Sequence, residues 1–273
     1  MRKTKYTFLL VVLTIFADCS RVPITGRRQL DLVPDQQIHN MAQEQYNQML
    51  DQERLSDDPE QVEMVQRVGH DIAAAIEQYF RDNNMEDELE DYDWEFNLID
   101  DDEQVNAWAM PGGKVAFYTG ILPVTQDETG LAVVMGHEIA HVVAKHGNER
   151  MSQALTAELG GVALAVAMRE RPQQTQQLFM AAYGLGAQVG IMLPFSRRQE
   201  SEADHLGLLF MAMAGYDPRE AVSFWERMAE INRGPEPPEL LATHPPTEQR
   251  IEDMQESLPE ALEYYEQHAA AGN

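Results

Sequence analysis

The stretch from Thr125 to His146 constrains the fold more than any other part of the chain. Leu131, Met135, Ile139 and Val142 recur at helical spacing, and Val134 and Ala140 leave little polar surface opposite. A helix that is apolar nearly all round belongs inside a protein, covered on every side. This one nevertheless carries His137, Glu138 and His141, polar groups that are costly to bury without a purpose. Thr125 and Glu128 have the spacing of a capping box at its start. Gly147 is expected to end it, just after His146.

Residues four apart on a helix share a face, so His137 and His141 can grip one metal ion. Zinc is the usual choice, with three protein ligands and an open fourth position at catalytic sites. Glu138 stands about 100° round the helix from His137 and can reach a water at that position. A third ligand should come from a later helix. Glu200, Glu202, Asp204 and His205 are the candidates. Glu200 and Asp204 share a face, so one can bind the metal while the other accepts a hydrogen bond from a ligand histidine. Glu202 points elsewhere and reads as solvated.

Helical patterns fill most of the remaining chain. They run over 35–50, from Pro59 to about Phe80, and over 149–171, 173–193, 198–214, 218–231 and 247–267. Gly234 to Pro238 reads as a loop. Trp94, Phe96 and Leu98 alternate with polar residues as in a half-buried strand. After a turn at Met110-Pro111-Gly112-Gly113 a second strand follows at 114–119. The expected fold class is therefore α+β: one mostly helical domain over 35–268 with a small early sheet.

The chain carries 46 acids against 20 Lys and Arg, a net charge of −26. A body this acidic repels phosphate backbones, which argues against nucleic acid as a partner. The acid-rich run 82–103 lacks the ligand-and-glycine spacing of a calcium loop. Arg2, Lys3 and Lys5 precede an apolar run from Thr7 to Ala17, too short to span a bilayer and arranged like a secretory signal. Cys19 directly follows it and resembles the lipidated cysteine of a bacterial lipoprotein. These features predict a cleaved segment 1–18, a membrane-proximal linker 19–34, and a periplasmic location with a lipid anchor, in the outer membrane of a bacterial envelope.

Several motifs in order resemble the HtpX/Oma-type zinc endopeptidase family (peptidase family M48), over about residues 20–255. They are Asn106-Ala107-Trp108-Ala109-Met110-Pro111-Gly112-Gly113, then His137 to His141 extended to His146. Leu193 to Asp204 and His244-Pro245-Pro246 with Arg250 follow, and Val22 to Leu30 resembles the start of secreted lipoprotein members. The resemblance implies a zincin-like fold, with Zn2+ on His137, His141 and Glu200 and with Asp204 behind a ligand histidine. It implies that His244 approaches the zinc at rest, that Arg250 helps stabilise the oxyanion, and that Asn106 to Ala109 form an edge strand receiving substrate backbone. His146 matches too, in a structural role, while His39, His70, His205 and His268 read as ordinary surface or core residues.

The function expected from all this is zinc-dependent hydrolysis of misfolded or stalled envelope proteins, with Glu138 as general base. The alternative is a chaperone-like binder on the same fold; the intact Glu138 favours the enzyme, because a pure binder has no need of the base.

Overall fold

The computed structural model describes residues 19–169, 173, 196–231 and 238–271. The expected signal segment, the side chain of Cys19, nearly all of the 173–193 helix, Leu193 to Phe195 and most of the 234–238 loop lie outside the described residues. The fold is mostly helical with two small sheets. Among the described residues no helix is long and apolar enough to cross a membrane.

The chain divides into two compact units, one of residues 39–144 with 194–273 and the other of 1–38 with 145–193. In the second unit, strands β1 (Cys19–Arg21) and β2 (Arg28–Leu30) pair antiparallel. Within the expected linker 19–34, residues 19–21 and 28–30 thus form a small two-stranded sheet. Arg27 forms a paired ion bridge to Glu149, with N···O distances of 3.0 and 2.9 Å. The Leu32 amide donates to Ser152 Oγ at 2.9 Å.

The first unit holds the main core. Helix α1 (Asp35–Leu50) leads to α2 (Pro59–Asp82), whose N-cap Asp58 accepts from the Glu60 and Gln61 amides. The periodic residues Val65, Val68, Ile72, Ile76 and Phe80 are all buried. The sheet has β5 (Lys114–Tyr118) at its centre, parallel to β3 (Glu95–Ile99) and antiparallel to β4 (Ala107–Met110). Every residue of β5 is buried. That includes Lys114, whose ammonium is held by Asp93 and Glu95 at 2.7 and 2.6 Å.

A short helix α3 (Leu122–Thr125) precedes α4 (Glu128–Val143), which is buried at every position from Gly130 onward, as its apolar surface requires. Two expectations about its ends need correction. Thr125 does not cap it: its hydroxyl closes α3 on the Leu122 carbonyl. Asp127 is the N-cap, accepting from the Thr129 and Gly130 amides at 2.9 and 3.0 Å. Gly147 does not stop it either, because Lys145 takes a left-handed φ of 55° and breaks the helix earlier. Gly147 then lies inside α5 (His146–Met168), in the other unit.

Ser196 and Gln199 form a full capping box at the start of α6 (Arg197–Met213). Helix α7 (Arg219–Ile231), short α8 (Glu239–Thr243) and α9 (Glu248–Ala271) complete the unit. Helix α6 packs against α4 on one side and α9 on the other. This burial overturns the solvated reading of Glu202, which is only 8 % exposed.

Helices α4 and α6 touch backbone to backbone at Gly136 and Gly207. A Cβ on Gly136 would stand 2.8 Å from the Gly207 carbonyl oxygen. Gly136→Ala should therefore force the helices apart and destabilise the fold by about 1–3 kcal/mol, the usual scale of overpacking. Urea unfolding of the variant beside the parent measures this.

Candidate metal centre

The first turn of α6 places Glu200, and one turn later Asp204, against the face of α4 that carries His137 and His141. The residue after α8 contributes His244, and the first turn of α9 contributes Arg250. Glu138, the three histidines, Glu200, Asp204 and Arg250 are each between 2 % and 4 % exposed.

Four of these side chains aim donor atoms at one point. Among the described residues, His137, His141, Glu200 and His244 are the one such cluster, with ligand atoms within 4.8 Å of one another. His137 Nε2 lies 3.1 Å from His141 Nε2 and 3.1 Å from His244 Nδ1. His244 Nδ1 is 3.1 Å from both Glu200 oxygens, and His141 Nε2 is 3.4 Å from Oε1. Four donors at tetrahedral zinc distances of about 2.0–2.1 Å would stand about 3.3 Å apart, so the set fits such an ion. The chemistry of the set, imidazole nitrogen with one carboxylate, fits as well.

The surroundings orient the donors. Asp204 Oδ1 lies 3.0 Å from His137 Nδ1, which leaves Nε2 to face the cluster. Burial opposes charge on His137, but Asp204 and Glu200 outweigh it and hold its pKa up at about 9. Burial also opposes ionisation of Glu200 and Asp204. His137 and His244 hold Glu200 well below the ordinary carboxylate range, and Arg250 does the same for Asp204.

Arg250 is fully engaged. Nε and Nη2 grip the two Asp204 oxygens at 2.7 Å each. Nη1 reaches Glu200 and the Pro245 carbonyl, both at 3.1 Å. The guanidinium stacks 4.2 Å above the Trp225 ring, which also meets His137 edge-on. Trp225 escaped notice in the sequence because it sits in an ordinary apolar stripe with Ala221, Phe224 and Met228, which carries no metal-site signal.

Glu138 stands beside the cluster and outside it. Burial raises its pKa, against the pull of His244 and His137. Its Oε1 has no hydrogen-bond partner, and His244 Nε2 is 3.5 Å from it. Asn106 to Ala109 border the site on edge strand β4, beside α4. His205 lies away from the cluster, bonded to Ser257, and His146 is wholly buried in the other unit.

Two histidines and a glutamate on facing helices, with a buried carboxylate beside the first pair, define a metallopeptidase site. Residues 59–258 match peptidase family M48, and the chain belongs to that family. It is 35 % identical over 199 residues to the Saccharomyces cerevisiae "Mitochondrial metalloendopeptidase OMA1", covering 70 % of this chain and 55 % of that protein. The Schizosaccharomyces pombe protein of the same name is 33 % identical, covering 90 % and 68 %. A Vibrio cholerae "Putative beta-barrel assembly-enhancing protease" is 37 % identical, covering 57 % and 33 %. The chain spans about half the length of most of the metalloendopeptidases it matches.

These relatives overturn the expected location. The similar proteins of two yeasts, Arabidopsis thaliana and Homo sapiens carry mitochondrial names, and the bacterial relatives match over a smaller part of the chain. The bacterial envelope placement, with its lipid attachment at Cys19, is withdrawn.

Replacing Arg250 with Met would leave Asp204 and Glu200 buried without their cation. The expected loss is about 3–5 kcal/mol of stability, read by denaturant unfolding. The pair also sets an acid limit. Asp204's native pKa is below its ordinary 3.8, so its stabilising contribution is present above that value and is lost as pH falls through the native one. Asp204→Asn should remove that part of the acid unfolding curve.

Proposed function

We propose that the chain is a zinc-dependent endopeptidase in which Glu138 is the general base. The observation that carries this reading is the convergence of His137, His141, Glu200 and His244 next to a buried carboxylate with an unpartnered oxygen. Bound there, zinc would supply Lewis-acid polarisation of the scissile carbonyl and a lowered pKa for an attacking water. Glu138 would take the proton of that water as its oxygen bonds to the carbonyl carbon, then pass it to the departing amine as the C–N bond breaks. Asp204 orients His137, and Arg250 holds Asp204 and Glu200 in place. Because every guanidinium nitrogen is engaged, we assign Arg250 to positioning in preference to oxyanion binding.

The substrates proposed are misfolded or stalled polypeptides, taken up as an extended strand against Asn106 to Ala109. The outer position of β4 in its sheet supports the strand mode. The name beta-barrel assembly-enhancing protease, carried by two relatives, supports a role in protein quality control. The narrower envelope substrates go with the location already withdrawn.

His244 supports a resting latch. One ring nitrogen joins the donor cluster and the other faces Glu138, so the ring fills the space a substrate carbonyl needs. His244→Ala should raise basal casein cleavage severalfold; unchanged cleavage with unchanged metal content would count against the latch.

Casein degradation with and without a zinc chelator tests the whole reading. Chelation should abolish cleavage, and Glu138→Gln should lower it by about 10²–10⁴-fold with zinc still bound. Because burial lifts the Glu138 pKa, the acid limb of the rate profile should fall at a pH above the ordinary Glu value of 4.5, since cleavage needs the ionised form. A limb at or below that value would remove Glu138 from the role.

A further inference from the structure

The outer edge of β4 is already capped from within. Its free side follows from the ladder on the other side. The Tyr118 amide donates to the Asn106 carbonyl at 3.1 Å, and the antiparallel register continues from that pair to Trp108 opposite Ala116. In an antiparallel ladder the bonded pairs alternate. Trp108 and Met110 therefore turn their amides and carbonyls toward β5, while Ala107 and Ala109 turn theirs outward. A strand adding to this edge has those two amides to use.

The first of these amides is not open: the Ala107 N–H donates to Asn106 Oδ1 at 3.0 Å. A free sheet edge is a template for any extended chain, and proteins commonly blunt such edges.

We infer that Asn106 is a gate on the substrate edge: its side-chain carbonyl stands in for the first substrate carbonyl, and an arriving strand must exchange with it at Ala107. This rests on the strand-addition reading above.

The test uses the full zinc-loaded chain carrying Glu138→Gln, so that binding is seen without turnover, and fluorescein-labelled casein as the probe. Adding Asn106→Ala should tighten casein binding about two- to tenfold, the scale of one competing hydrogen bond. It should also speed deuterium exchange of the Ala107 amide when no casein is present. Asn106→Asp, which keeps an acceptor, should return both readouts toward the parent. Asn106→Leu, similar in size and without an acceptor, repeats the measurement should the Ala form melt early. Equal or weaker binding by the Ala and Leu forms, with parent zinc content, would overturn the gate while leaving strand addition standing. A zinc-loaded parent that does not bind casein would sink strand addition and the gate together.

Discussion

Carboxylates placed in a protein interior must meet positive charge, and the interior of this unit is arranged around that requirement. Glu200 and Asp204 are buried one turn apart on α6. Arg250 reaches both, gripping Asp204 with two nitrogens and touching Glu200 with a third. Trp225 covers the guanidinium and keeps water from the pair. With its charge compensated in this way, Asp204 stays ionised and faces His137 Nδ1, which fixes the ring with Nε2 turned to the donor cluster. The metal-facing geometry thus depends on an ion pair whose arginine supplies no donor atom to it.

The helices have to come close for that pair to form. Gly136 and Gly207 allow α4 and α6 to meet without intervening side chains, so imidazoles on one reach carboxylates on the other at 3.0–3.6 Å. The sheet has a related task on the far side of Glu138. A central strand buried at every position holds β4 at the border of the site, where two of its amides face outward. One of these, at Ala107, is held by the Asn106 side chain.

Burial gives the resting protein its character. Every titratable group of the centre is at most 4 % exposed, and His244 stands between the donors and Glu138. The residue after α8 and the start of β4, which supply that ring and the Asn106 cap, lie close together: the Leu240 amide donates to the Val105 carbonyl at 3.3 Å.

Local patterning in the sequence determined much of the layout. An apolar helix with two histidines four apart has few ways to be stable, and Glu200 with Asp204 at the same spacing supplies its natural complement. The long helices, the two alternating strands and the family membership were legible for the same reason: each is carried by residues close together in the chain. Helix ends were read less well, since Asp127 competed with Thr125 for the cap and Lys145 adopted a backbone conformation usual for glycine. Other features depend on distance in space. The burial of Glu202, the engagement of Arg250 and the place of Trp225 beneath it arise only when elements far apart in sequence pack together. Spacing along a chain states which side chains share a face; only packing states what that face meets.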